Sequence, residues 1–171
     1  MKLHIGGETT KEGWKILNIS QMPGVDFVGD ICDLGMFKEN TFSEIYASHV
    51  LEHVPQAKVL DTLIGIQRVL EAGGKFYISV PDLDVLCRAF IDPAAVSNID
   101  TQIHIMRMIF GGQVDPHDFH YIGWNQSILF GYLKQAGFSY GERVESFGLF
   151  DDTSNYKPYG FPISLNVIAT K

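Results

Sequence analysis

The chain has 171 residues, 46% hydrophobic and 19% charged, which fits one globular domain with a sizeable core and excludes global disorder. Thirteen Lys and Arg against twenty Asp and Glu give a formal charge of −7, no footprint for a polyanion, so nucleic acid is not expected as a partner. No apolar run approaches the ~20 residues of a membrane-spanning helix, and Met1–Ile5 lacks the apolar stretch of a signal peptide.

Two cysteines, Cys32 and Cys87, are too few for a disulfide scaffold and fit a reducing compartment. The expectation is therefore a single cytoplasmic domain, 1–171, that does not act on membranes.

In chain order, Leu3-His4-Ile5 is a short apolar segment stopped by Gly6-Gly7. Trp14 to Ile19, Val25 to Val28 and Glu44 to Ser48 are three further strand candidates. Val59, Leu60, Leu63, Ile66, Val69 and Leu70 then recur at three- and four-residue steps, which places them on one helix face. Pro55 suits the first turn and Gly73-Gly74 the stop.

Lys75 to Val80 reads as a buried strand ended by Pro81, and Asp82 is an N-cap for a helix through Phe90. Ile99, Ile103, Met106, Ile109 and Phe110 form another helical stripe, expected to be core and also suited to a homodimer contact that covers an open site. Asn125 caps a helix carrying Ile128, Leu129, Tyr132, Leu133 and Ala136, with Gly137 as its stop. Glu142 to Phe147 and Ile163 to Thr170 alternate as strands, and the loop between them, with Asp151, Pro158, Gly160 and Pro162, is irregular.

Early strands, a strand–helix–strand centre and a closing strand pair predict an open α/β sheet, mostly parallel, with an antiparallel C-terminal edge hairpin. Ligands of such sheets bind outside the carboxyl ends of the strands.

Six stretches spanning nearly the whole chain carry a family resemblance: "LHIGG" at 3–7, "GWKILNI" at 13–19, "VGDICDL" at 28–34, "IYASHVLEHV" at 45–54, "RVLEAGGKFYISVPD" at 68–82 and "LKQAGF" at 133–138. In this order the chain resembles a class I S-adenosylmethionine-dependent methyltransferase with a Rossmann-like sheet. The likeness is to the short bacterial kind associated with surface-polysaccharide genes. It implies S-adenosyl-L-methionine as cofactor and a small-molecule or saccharide-linked acceptor.

By that resemblance Gly6 and Gly7 let backbone approach the methionine moiety, while Glu8 stands where the family has a second glycine. Asn18 replaces the family's acidic ribose ligand, removing a formal charge and, with it, about one order of magnitude of affinity. Asp30 and the backbone of Ile31 correspond to the adenine contacts, and His49 and Leu51 to the lining beside the sulfonium. Asp33 reads as a turn former.

Two family features are absent from the pattern: helices before the first strand, and a first crossover helix, since only residues 6–13 link the first two strands. Residues 83–124 and 149–161 are then the segments long enough to cover the site and hold the acceptor. His53 and His120 are the candidate bases, because histidine titrates near neutrality. The spacings His49/His53 and His117/His120 suit metal ligands, but no Cys or HExxH pattern joins them, and no metal is expected.

A second reading is a degenerate relative that binds cofactor weakly or not at all and serves as a partner in an assembly, which Glu8 and Asn18 favour. A nicotinamide dehydrogenase is disfavoured because Gly-x-Gly-x-x-Gly is absent.

Overall fold

The computed structural model describes residues 1–171. Seven strands form one sheet: β1 (Lys2–Ile5), β2 (Trp14–Asn18), β3 (Phe27–Val28), β4 (Phe42–Ser48), β5 (Leu70–Pro81), β6 (Tyr140–Val144) and β7 (Ser164–Thr170). Their order is β3-β2-β1-β4-β5-β7-β6. The first five are parallel to their neighbours, and β7 runs antiparallel to both β5 and β6. The expected Rossmann-like sheet with an antiparallel C-terminal pair is the observed one, the reversed strand being inserted ahead of the edge.

Strand alternation divides the sheet into two unlike faces. Leu3, Leu17, Ile45, Phe76, Ile78 and Val167 point to one face and are buried. Helices α1 (Val59–Val69) and α5 (Gln126–Gln135) cover them with Leu63, Ile66, Leu129 and Leu133, in a cluster of 27 buried residues. The caps read from sequence form: Asn125 Oδ1 accepts from the Ile128 amide, and Gly137 takes the left-handed conformation at φ 90°.

The opposite face carries His4, Trp14, Tyr46 and Tyr77. No helix links β1, β2 and β3, as the short links predicted. The return along a four-residue strand is only ~13 Å, which the eight residues 6–13 span without a helix. Residues 145–163 form a strap over this face instead. The Phe150 ring lies 4.2 Å from His4, 4.7 Å from Tyr46 and 5.3 Å from Trp14, and Phe147 meets Tyr46 and Tyr77 at 5.6 Å.

Polar bonds fasten the strap. Tyr46 donates its hydroxyl to Asp152 at 2.7 Å, and Asn166 donates to the carbonyls of Glu145 and Ser154 at 2.9 and 3.0 Å. Residues 149–161, expected over the ligand site, are thus committed to the flank of the sheet.

Three local features differ from expectation. Helix α1 ends at Val69, not at Gly73-Gly74. The glycines lie inside β5, where pairing slips from Phe42↔Leu70 to Glu44↔Lys75, so the pair supports a bulge rather than a cap. β6 begins at Tyr140 and stops at Val144, because Phe147 turns into the strap.

The third difference concerns α2 (Leu83–Ile91), α3 (Pro93–Val96) and α4 (Ile99–Phe110). They pack in a small separate cluster around Leu86, Ala95, Ile105 and Ile163. Most of the stripe expected as core is turned outward: Ile99 is 65% and Phe110 56% exposed, with Ile103 and Met106 exposed beside them, while its member Ile109 packs inward with Ile105. Asp82 caps α2 as predicted, accepting from Asp84 and Val85 amides, and pairs with Arg143 at 2.8 Å.

Candidate active site

The carboxyl ends of β1, β2, β3 and β4 open into a cavity of about 500 Å³, within the range of small-molecule pockets. Ile5 and Gly6, Leu17 to Ile19, Gly29 to Cys32, and Ser48 to Val50 line it, with His53 to Pro55 beyond. Pro116, His117 and Tyr121 close one side from the 83–124 segment; none of 149–161 lines it.

Both glycines of the first loop are structurally required, for different reasons. Gly6 has φ 74°, and a Cβ there would lie 2.6 Å from Val50. Gly7 is buried behind the loop, where a Cβ would meet the His4 ring at 2.6 Å. Gly6 therefore faces the cavity and Gly7 does not. Glu8 is exposed on the wall and leaves the cavity open.

Asn18 is held rather than free. Its Nδ2 donates to the Gly7 carbonyl at 3.2 Å, and its Oδ1 accepts from the Ser20 amide at 3.0 Å. A carboxylate at this position has no hydrogen to give Gly7, so the amide ties the glycine loop to β2 as an acid would not. Each half of the amide retains a second donor or lone pair for a ligand.

Asp30 is exposed and accepts from the Cys32 amide at 2.9 Å, while Asp33 serves only its own turn by accepting from Gly35. Ile31 lines the cavity beside Asp30. Leu51, expected on the wall, is 1% exposed and packs into the helical-face core, because the 3-10 turn Leu51–His53 points it away.

His49 does reach the wall, in a left-handed conformation (φ 53°) rare for a residue with a Cβ. Its Nε2 lies 2.9 Å from Ser164 Oγ and its Nδ1 3.2 Å from Glu52 Oε1. These two partners fix the ring across the strand end.

Glu52 was not singled out in the sequence, although it sits inside the "LEH" stretch. It is 1% exposed. Burial pushes its carboxyl up, but the contact with His49 and the field of His53 outweigh this and hold it below the usual range. The Nδ1–Oε1 approach is an ion-pair contact without hydrogen-bond alignment, so both carboxylate oxygens lack a donor.

The structure joins His53 to His120, with ring centroids 4.8 Å apart and planes at 81°. His117 instead lies on the cavity wall. The Tyr121 amide donates to the Glu52 carbonyl at 2.8 Å, which docks the 111–121 segment on the Leu51–His53 turn. Burial lowers the His120 pKa, with Glu52 opposing, and burial raises the Cys32 thiol, which disfavours its thiolate.

Residues 8–78 match the family model described as "Methyltransferase domain". The match takes in β2 to β4, whose ends line the cavity, and most of β5. Solved structures give the same fold. The chain aligns over 99% of its length with 70% of the Burkholderia thailandensis 1,6-didemethyltoxoflavin-N1-methyltransferase, solved with that compound and S-adenosylhomocysteine, at 16% identity and TM-score 0.62.

It likewise aligns over 99% of its length with 85% of an S-adenosylmethionine-dependent methyltransferase from Archaeoglobus fulgidus (15% identity, TM-score 0.59). Trans-methyltransferase CalH, solved with S-adenosylhomocysteine, matches at 16% identity and TM-score 0.58, and this methyltransferase-fold chain spans 50% of CalH. No curated protein matches the chain. No helix is long and apolar enough to cross a membrane.

Proposed function

We propose that the chain is an S-adenosylmethionine-dependent methyltransferase acting on a small or saccharide-linked acceptor. The observation that carries this reading is the open cavity at the ends of β1 to β4, walled by Gly6, Asn18, Asp30 and His49 with Glu8 aside. These residues fit the cofactor's parts. Gly6 offers close backbone approach to a methionine moiety, and Glu8 a carboxylate for its ammonium. Asn18 offers spare amide valences for ribose hydroxyls, and Asp30 with the Ile31 amide a donor–acceptor edge for adenine. Gly7 contributes by letting that loop pack on His4.

When bound, the cofactor supplies an electrophilic methyl group on a sulfonium. Transfer is an in-line displacement in which orientation of the acceptor supplies much of the rate. The acceptor enters beneath Pro116, His117 and Tyr121, beside the imidazole of His53; His120 lies behind His53, in ring contact with it, and the pair takes or positions the acceptor's proton. The unpaired Cys32 and Cys87 fit a reducing cytoplasm, and the outward stripe of α4 is the surface for a second copy.

Transfer of a labelled methyl group from S-adenosylmethionine to a panel of hydroxyl- and amine-bearing saccharides tests the reading. His120→Ala is expected to abolish transfer and leave S-adenosylhomocysteine affinity intact. Unchanged turnover would refute the role of His120, and no transfer to any acceptor by the wild type would favour the degenerate, partner-binding form.

A further inference from the structure

The turn Leu51–His53 and the docked segment 111–121 bring together three groups that neither element holds alone. Glu52 is 1% exposed, and neither of its carboxylate oxygens receives a hydrogen bond. A carboxylate buried in this way needs a cation, and His49 at 3.2 Å touches only one of its oxygens.

His53 and His120 stand beside it in a shared attitude. His53 Nδ1 lies 3.1 Å from the Phe119 carbonyl, and His120 Nδ1 lies 3.2 Å from the Ile109 carbonyl. A carbonyl only accepts, so each Nδ1 bears the hydrogen and each Nε2 keeps its lone pair. Imidazoles that ligate metals are oriented this way, the non-ligating N–H given to a carbonyl or carboxylate. One ligand atom from each of Glu52, His53 and His120 lies within 4.8 Å of the others.

We propose that Glu52, His53 and His120 form a binding site for one first-row divalent transition-metal ion. Two imidazoles and one carboxylate suit zinc or ferrous iron, and three protein ligands leave a coordination position open. Metal–ligand distances of about 2.0–2.1 Å put the ligand atoms ~3.5 Å apart, so the two half-buried imidazoles close by about 1 Å on binding. His49, in contact with Oε1 and anchored on Ser164, holds the carboxylate in place from behind. Of the three, His53 also lines the cavity, so the site adjoins it. An ion there would lower the pKa of a bound hydroxyl and so take over the proton role given above to the free imidazoles, which points to an oxygen acceptor. That last step rests on the methyl-transfer reading; the metal site itself does not.

The test titrates the full chain, stripped with chelator, with Co²⁺ and follows its visible absorption, with Zn²⁺ as competitor. S-adenosylhomocysteine is titrated separately into the same samples. One equivalent of Co²⁺ displaced by Zn²⁺ is expected for the wild type and for the distant His104→Ala. Glu52→Gln and His120→Ala should each weaken binding more than about a hundredfold. His120→Ala decides alone if Glu52→Gln does not fold. No stoichiometric Co²⁺ band in the wild type, or wild-type affinity in the variants, overturns the site. S-adenosylhomocysteine binding without Co²⁺ binding defeats the metal site alone, and the converse defeats the transferase reading alone.

Discussion

The two faces of the sheet are covered by different means. On one, α1 and α5 lay Leu63, Ile66, Leu129 and Leu133 over Ile45, Phe76 and Val167, all of them buried. On the other, the strap 145–163 sets Phe147 and Phe150 against His4, Trp14, Tyr46 and Tyr77 and bonds to them through Asp152 and Ser154. The helical face is held by apolar area, the strapped face by aromatic edges and buried polar bonds. The first resists single losses of charge and is sensitive to volume; the second is sensitive to protonation and to the fastening of one loop.

The contrast is open to direct challenge. Phe76→Ala on the helical face should cost about 3–5 kcal/mol, read as a drop in Tm, because Phe76 is fully buried and stacks on Phe138. A loss below about 1 kcal/mol would erase the distinction between the faces.

The strapped face should instead show acid sensitivity. Burial holds the His4 pKa down to about 4, with Asp152 opposing. A histidine whose folded pKa lies below its unfolded value binds fewer protons when folded, so stability is full above about pH 6.5. It falls as pH drops from 6.5 to about 4, by about 3 kcal/mol in all, and levels off below. Denaturant melts of the wild type and His4→Phe across that window should diverge by this amount; parallel curves would contradict the assignment.

Phe150→Ala should cost about 2 kcal/mol, since the ring is half-buried, and should raise amide exchange in 145–163 without touching α1. Exchange rising equally in both regions would mean that the faces are one cooperative unit. The smallest effect concerns the join between the strapped face and the cavity. Asn18→Asp gains a charge for ribose but loses the bond to the Gly7 carbonyl, worth about 1 kcal/mol, so S-adenosylhomocysteine affinity should change less than about tenfold. A larger gain would show that the amide merely weakens the ligand site.

Legibility in the sequence follows the same division. The helical face was readable because Leu63, Ile66, Leu129 and Leu133 repeat at the helix period and Asn125 and Gly137 mark their ends. The strap was not, because Phe147 and Phe150 have no period and their partners His4 and Tyr46 lie more than a hundred residues away. Residues 149–161 therefore suggested a cover for the cavity. The α4 stripe misled for a related reason: periodicity shows that residues share a face, not which way that face looks.

At the candidate site, Gly6, Asn18, Asp30 and His49, picked by strand-end position, line the cavity. Leu51 was misplaced by one turn of 3-10 helix, and the two histidine pairs read from spacing were exchanged for His53 with His120, a contact made only by the docked 111–121 segment. Glu52 gave no signal, since nothing local marks a carboxylate for burial.

Isothermal titration of the wild-type chain with S-adenosylhomocysteine bears most directly on the account. A nucleoside seated across the ends of β1 to β4 predicts one site per chain with a micromolar dissociation constant. Absence of heat at millimolar ligand would mean that the cavity, though open, is not built for that molecule.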